Sequence, residues 1–138
     1  MFVRDGRLKL VAAIELVSPS IKDRPATRAA FASKCATYLS AGVSLIVLDA
    51  TTDRPANLHQ ELLSLLDYKD EARRGLTMFA GAYRPVLRNE KAEIDIWVSP
   101  LAVSQPLPTM PLRLIEDLMI PVDFETAYMD VCRDRRMF

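Results

Sequence analysis

The chain has 138 residues, half of them hydrophobic, and its 18 basic side chains are balanced by 18 acidic ones. This length suits a single domain, residues 1–138, that buries a core, and the hydrophobic content excludes an intrinsically disordered chain. Nucleic-acid-binding domains are usually basic overall, so the neutral balance argues against one, although residues 1–34 hold seven Lys or Arg against three acids and leave room for a local basic surface.

The opening of the chain predicts two strands joined by a tight turn. Residues 1–5 form the first strand, and Asp5-Gly6 is a hairpin signal that leads into an apolar run ending at Ser18-Pro19-Ser20. Glu15 lies near the end of this run, which we interpret as a buried strand. An ionised carboxylate in such a place is costly unless it is paired, hydrogen-bonded or bound to a metal ion. We therefore expect Glu15 to have a partner: backbone donors, a Lys or Arg, or a metal.

A helix follows this strand. Asp23 can cap it and Pro25 can occupy its first turn, while Gly42 is suited to ending it. These signals place the helix at residues 25–41. Its apolar stripe consists of Phe31, Cys35, Tyr38 and Leu39.

A second buried strand comes directly after the helix. It is the apolar run at 43–48, closed by Asp49, and a strand, helix and strand with short links form the right-handed crossover unit of a parallel sheet. Glu15 and Asp49 are then expected near the carboxyl ends of adjacent parallel strands, where such sheets tend to bind ligands. Asp49 is either a ligand there or a turn-former or helix cap, which is the commoner role of an Asp at the end of a strand.

The remainder of the chain mixes helix and strand. We predict, in order, a helix at 54–66, antiparallel strands at 76–83 and 92–98 joined through residues 85–91, an extended Pro-rich passage at 100–111, a connector at 115–121 and a helix capped by Asp123. The fold class is α/β, with an α+β mixed sheet. The strand–helix–strand–helix core occupies residues 1–66, and the hairpin, Pro-rich segment and closing helix occupy residues 67–138.

Two features concern the cellular compartment. No window approaches the roughly 18 consecutive apolar residues of a membrane span, and the amino terminus lacks the order of a signal peptide. Cys35 and Cys132 do not have the spacing of metal ligands and are expected as buried free thiols. We expect a soluble cytoplasmic protein with no membrane partner.

Two further side chains are candidates for chemistry. Lys34 lies beside the apolar stripe of the helix, where a lysine usually extends to solvent but can also direct its ammonium towards Glu15. His59 is the only histidine, which excludes a His-based triad or metal cluster, and we interpret it as a partly buried structural residue. The four scattered glycines include no phosphate-binding loop.

Several motifs resemble those of a known bacterial family. The segment AAIELVSPSIK at 12–22 resembles the Val-x-x-Ile-Glu-Val-Leu-Ser-Pro-Ser-Asn-Lys signature of the domain of unknown function DUF 4058. The resemblance continues through Arg-x-x-Phe-x-x-Lys at 28–34, Gly42-Val43, Tyr83-Arg84-Pro85 and Leu-Pro-x-x-Pro-Leu at 107–112. The first block is the specific one.

The same block resembles the core of the PD-(D/E)XK, restriction-endonuclease-like superfamily, in the branch whose lysine lies on the helix after the glutamate. In that branch the lysine precedes a Gly-Val by eight residues, as Lys34 precedes Gly42-Val43. The resemblance implies a restriction-endonuclease-like core and a Mg²⁺-dependent phosphodiester hydrolase acting on DNA. We predict Glu15 and Lys34 as catalytic residues, and Glu15 and Asp49 as metal ligands.

The chain also departs from the superfamily pattern. Val17 stands where the usual lysine follows the glutamate, Phe2 and Val3 stand where an upstream acid is expected, and the first helix and strands of the core are missing. The core is therefore expected to be truncated at the amino terminus, with the true start codon upstream of Met1 as one explanation. Two functions stay open: a metal-dependent nuclease, or a catalytically silent binding or self-assembling module that keeps the fold and forms homo-oligomers.

Overall fold

The computed structural model describes residues 2–4, 7–52, 54–114 and 118–127. The strands are β1 (Phe2–Arg4), β2 (Arg7–Lys9), β3 (Ala12–Leu16), β4 (Ser44–Asp49), β5 (Phe79–Arg88), β6 (Lys91–Pro100), β7 (Thr109–Arg113) and β8 (Met119–Asp123). The helices are α1 (Pro19–Lys22), α2 (Pro25–Ser40) and α3 (Leu58–Leu65), with a 3₁₀ turn at Glu71–Arg73. In the described part of the chain, no helix is long and apolar enough to cross a membrane.

A four-stranded mixed sheet forms the centre of the fold, in the order β3-β4-β5-β6. β3 runs parallel to β4, and the pairs β4–β5 and β5–β6 are antiparallel. The β3–β4 register places Glu15 opposite Val47. Helix α2 connects the two parallel strands, because parallel neighbours need a crossover between them. The predicted mixed α/β fold class is confirmed.

Each face of this sheet has its own core, since successive side chains of a strand point to opposite sides. Helices α2 and α3 cover one face, where the buried residues are Phe31, Cys35, Leu39, Leu45, Val47, Leu58, Leu62, Leu63, Leu76, Phe79 and Tyr83. The β7–β8 hairpin covers the other face, where they are Ile46, Ala80, Ala82, Met110, Leu112 and Phe124. Strand β4 is thus buried on both sides, which explains the apolar stretch at 45–48 at its centre.

The boundaries of α2 agree with the prediction of a helix at 25–41. Pro25 is the first helical residue, and Gly42 follows the helix with a φ of +80°, a conformation that glycine adopts without strain. The predicted cap is wrong: Arg24, not Asp23, is the N-cap, and Thr27 bonds back to the backbone of Arg24. Asp23 instead ends the preceding helix α1 as its C-cap residue, and its carboxylate forms an ion pair with Arg54.

The opening apolar run forms two strands rather than one. Among the described strands, β2 pairs only with β1, whereas β3 pairs with β4, so the chain changes its hydrogen-bonding partner between Lys9 and Ala12. The predicted antiparallel pairing at the start is present as β1–β2. Its predicted turn, Asp5-Gly6, lies outside the described residues.

Helix α3 is shorter than the predicted 54–66. Asn57 caps it, accepting a hydrogen bond from the Gln60 backbone N–H at 3.1 Å, so the helix begins at Leu58. A capping side chain that satisfies a free N–H at the helix start determines this boundary better than the apolar pattern does.

The hairpin β5–β6 is longer than predicted. Its turn is Asn89-Glu90, and both residues have positive φ (52° and 63°), as a two-residue hairpin turn requires. Pro85, predicted in the loop, lies inside β5 opposite Ile94. The pairing of β5 with β4 ends at Tyr83, so no strand on that side needs the N–H that Pro85 lacks.

The Pro-rich passage and the following connector contain a hairpin that the prediction missed. β7 pairs with β8 in antiparallel register, with Pro111 opposite Pro121, and prolines are weak signals for strands. The predicted cap of the last helix is present: the Asp123 carboxylate accepts hydrogen bonds from the backbone and hydroxyl of Thr126, and residues 124–127 are helical. Residues 128–138, including Cys132, lie outside the described part.

Candidate functional site

The two predicted strand-end carboxylates, Glu15 and Asp49, lie on the same face of the sheet, at the end where β3 and β4 terminate. We call this end of the sheet the carboxylate edge. Glu15 pairs in register with Val47, and Asp49 comes two residues later on β4. Val47 packs in the helix-side core, and side chains two residues apart share a face. The structure thus brings Glu15 and Asp49 to the carboxyl ends of adjacent parallel strands, on the side covered by the helices.

Glu15 is paired with the lysine that the sequence suggested. Lys34 on α2 places its Nζ 2.9 Å from Glu15 Oε1, and the side chains are 49% and 19% exposed. The ammonium also lies 5.5 Å from the centre of the Phe31 ring, within range of a cation–π interaction. The hydrogen bond to Glu15 raises the pKa of Lys34, although its desolvation acts in the opposite direction. Among the alternatives for Glu15, the structure shows a lysine partner.

Asp49 is paired with a different lysine, Lys22, for which the sequence pattern predicted no role. Lys22 Nζ lies 2.9 Å from Asp49 Oδ2, and neither side chain is exposed at all. The same ammonium donates to the Thr77 carbonyl at 2.9 Å. Asp49 Oδ1 accepts hydrogen bonds from the backbone N–H and hydroxyl of Thr51, at 3.1 and 2.7 Å. Apart from Lys22, Oδ2 has no polar partner among the described residues.

Lys22 was missed because lysine is almost never fully buried unless it is paired. The available signal was its place in the SPSIK segment, directly after the strand that carries Glu15. The Ser18-Pro19-Ser20 segment that ends the apolar run provides the N-cap and the first two residues of helix α1, which ends at Lys22. The hydroxyls of Ser18 and Ser20 are hydrogen-bonded to each other. In the described part of the chain, neither hydroxyl is hydrogen-bonded to Glu15 or Asp49.

His59 lies away from this edge, in the core between α3 and β5. Its Nδ1 is 2.7 Å from the Tyr83 hydroxyl, its Nε2 is 2.9 Å from Asp70 Oδ2, and it has no exposed surface. These partners suit a neutral ring that donates from Nε2 to Asp70 and accepts at Nδ1 from Tyr83. Burial lowers the pKa of His59 against the opposing effect of Asp70. The hydrogen bond from His59 is the main reason that the pKa of Asp70 is also lowered.

Acidification is expected to destabilise the fold through this histidine. An unfolded histidine titrates near pH 6.5, whereas the folded one has a lowered pKa. Below pH 6.5 the unfolded state therefore binds more protons, and the free energy of unfolding falls as the pH is lowered. The contribution of Asp70 is present above pH 3.8 and is lost as the pH falls further. Urea unfolding at intervals between about pH 7.5 and pH 5 measures the first effect.

The control for this prediction is His59→Gln. Because the chain has no other histidine, the free energy of unfolding of the variant should not fall between pH 7.5 and pH 5. At pH 7.5 it should be lower than that of the wild type. An equal slope in the variant, or a stability that rises on acidification of the wild type, contradicts the prediction.

Two other features lie outside the carboxylate edge. Cys35 is a buried free cysteine as predicted, and burial raises its thiol pKa to about 12, so it is inert at neutral pH. A cavity of about 770 Å³ opens beside the carboxyl end of α2, lined in part by Leu39, Leu66 and Val86. It adjoins the start of β4, at the opposite end of the strand from Asp49, and is not part of the same site.

Comparison of the chain with family models, with curated proteins and with solved structures finds no match. The chemistry of the carboxylate edge therefore has to be argued from its own geometry. That geometry consists of two carboxylates and two lysines, paired one to one: a solvent-accessible pair, Glu15–Lys34, and a fully enclosed pair, Lys22–Asp49.

Proposed function

We propose that this chain is a catalytically silent binding and assembly module of the DUF 4058 family, derived from a restriction-endonuclease-like core. The observation that carries the proposal is the ion pair between Lys22 and Asp49, which encloses one of the two predicted metal ligands completely. A lysine ammonium occupies the side of this carboxylate on which a cation would bind. The parallel crossover unit β3-α2-β4 supports the proposed ancestry.

The donor set supports a silent module better than a metal enzyme. Mg²⁺ takes oxygen ligands in near-octahedral geometry, and a second carboxylate here would have to come from Asp49. That group is unexposed and already accepts from Thr51 and Lys22, so the two carboxylates as arranged do not fit one shared Mg²⁺ site. In the part of the chain that the structure describes, no group of three or more His, Cys, Asp or Glu side chains could hold a metal ion.

A nuclease assay tests the proposal. The wild type is expected to leave supercoiled plasmid and linear DNA intact with Mg²⁺ or Mn²⁺, and to give the same background as Glu15→Gln. Calorimetric titration with Mn²⁺ should give the same heat for the wild type and for Glu15→Gln, because Glu15 binds no metal ion in the silent module. Divalent-metal-dependent cleavage that is lost in Glu15→Gln, with the variant still folded by circular dichroism, would overturn the silent function.

One observation favours a second candidate, a Mg²⁺-dependent phosphodiester hydrolase acting on DNA. The Glu15–Lys34 pair is accessible, since nearly half of the Lys34 side chain is exposed. This candidate assigns both residues the catalytic roles that the resemblance implies. Lys34→Met separates the two candidates: it should abolish any metal-dependent cleavage if the hydrolase is real and change nothing in the assay if the module is silent.

We further propose a cytoplasmic location. The buried free thiol of Cys35 supports it, since thiols persist in reducing compartments.

A further inference from the structure

Among the described strands, β3 has one backbone edge without a partner. It is the terminal strand of the four-stranded sheet, and no described strand lies on its other side. The Val17 N–H donates to the Leu48 carbonyl, and the Ser44 N–H donates to the Val11 carbonyl. In a parallel ladder, alternate residues bond to the same neighbour, so the backbone groups of Ala12, Ile14 and Leu16 point away from β4. These are the unpaired donors and acceptors that can pair with another strand.

The side chains of β3 leave this edge unprotected. Residues Ala12–Leu16 include neither Pro nor Lys, the residues with which edge strands usually block pairing. Ile14 is 45% exposed and Leu16 is 64% exposed. The one charge, Glu15, is neutralised by Lys34. The edge is therefore apolar and has no net charge.

We infer that β3 pairs antiparallel with the β3 of a second copy of this chain, about a two-fold axis at Ile14, so that two four-stranded sheets become one continuous sheet. This inference deepens the proposed assembly function and rests on it. The axis at Ile14 places Ile14 opposite Ile14 of the second copy and Leu16 opposite its Ala12. The outward-facing residues Ala12, Ile14 and Leu16 are then all in hydrogen-bonded pairs. The large side chain of Leu16 lies beside the small side chain of Ala12.

The charges select this register over its neighbour. An axis at Glu15 would place the two Glu15 side chains directly opposite, which is destabilising. With the axis at Ile14, each Glu15 lies opposite Ala13 of the second copy, and the two glutamates become diagonal neighbours about 7–8 Å apart. Each keeps its own lysine at 2.9 Å. The same patch is thus complementary to itself, as a two-fold dimer interface requires.

Sedimentation analysis of the full chain tests the inference. The wild type is expected to show a concentration-dependent species of twice the 15.5 kDa monomer mass. Ile14→Pro should sediment at the monomer mass over the same concentrations. Its proline removes the N–H at the centre of the proposed pairing, whereas the β3–β4 ladder does not use that N–H, and proline is tolerated at such an outward-facing edge position.

Two further variants keep the test decisive. Ile14→Lys places like charges on the two-fold axis and should also be monomeric, even if Ile14→Pro fails to fold. Leu87→Lys is the matched control, because Leu87 is a strand residue that is 77% exposed and far along β5 from the proposed axis. It should dimerise like the wild type, with far-ultraviolet circular dichroism confirming the fold of each variant.

The outcomes separate this inference from the proposed function. A wild type that stays monomeric at all concentrations, or a dimer that survives both Ile14 variants, overturns the pairing through β3. Metal-dependent DNA cleavage measured in the same samples overturns the silent function instead. A dimer that cleaves DNA thus leaves the pairing intact, and an inactive monomer leaves the lack of catalysis intact but removes the assembly role.

Discussion

Replacement of Lys22 by Met is expected to lower the free energy of unfolding by about 3–5 kcal/mol. Both members of the Lys22–Asp49 pair are fully enclosed, so the variant leaves a carboxylate in the interior without its counter-charge. It also leaves the Thr77 carbonyl without its donor. Because a domain of this size has a total stability of about 5–15 kcal/mol, the loss should be visible as a large shift of the urea midpoint with an unchanged slope.

A double-mutant cycle shows whether the loss comes from the pair itself. Asp49→Asn alone should also be strongly destabilising. The double variant Lys22→Met, Asp49→Asn should lose less free energy of unfolding than the sum of the two single losses, because it no longer contains either charge and so buries no unpaired one. The matched control is Lys34→Met, which breaks the exposed Glu15–Lys34 pair and should cost about 0–1 kcal/mol. Equal costs for Lys22→Met and Lys34→Met would contradict the prediction.

Gly81→Ala is expected to be the second most damaging change, at about 1–3 kcal/mol from overpacking. A Cβ at Gly81 would lie 2.8 Å from the Tyr83 hydroxyl oxygen and 2.9 Å from its Cε1, closer than such atoms can approach. The Tyr83 ring is buried and its hydroxyl is held by His59 at 2.7 Å, so it cannot turn aside freely. Moving it would also break that hydrogen bond, at a further cost of about 1–3 kcal/mol.

Gly75→Ala provides the control for this prediction. Apart from its chain neighbours, no heavy atom of the described residues lies within 4 Å of the position that a Cβ would take at Gly75, and surface changes of this kind usually stay within about 0.5 kcal/mol. Urea unfolding of both variants at neutral pH measures the difference. A Gly81→Ala protein as stable as Gly75→Ala would mean that Tyr83 is not confined as the contacts indicate.

The contrast between the two lysines bears on the proposed function. If Lys22 is essential for stability and Lys34 is not, the enclosed pair is part of the fold, and only the Glu15–Lys34 pair is free to take part in binding or chemistry. The candidate site then narrows from Glu15, Lys34 and Asp49 to the first two. This result would favour the silent module, because Asp49 would then be held by the fold and not be free to bind a metal ion, and the cleavage assay tests that function directly.

Local sequence signals predicted the elements that depend on nearby residues. Pro25 and Gly42 gave both ends of α2, because proline suits the first helical turn and glycine suits the residue after the last. The apolar run 43–48 indicated a strand buried on both faces, and the position of Asp49 indicated its end. The strands of the β7–β8 hairpin were missed because Pro111 and Pro121 weaken the strand signal while tolerating pairing at an edge.

By itself, the sequence determined the mixed α/β class, the crossover between the parallel strands and the requirement that Glu15 have a partner, since periodicity, end signals and the cost of an isolated buried charge act over short stretches of chain. Only the tertiary structure decided which lysine serves which carboxylate, that Lys22 is enclosed with Asp49 and the Thr77 carbonyl, and that none of the described strands pairs with the outer side of β3. These depend on how segments far apart in the chain pack together. The sequence does not distinguish a lysine whose ammonium is exposed to water from one whose ammonium is buried by the rest of the fold.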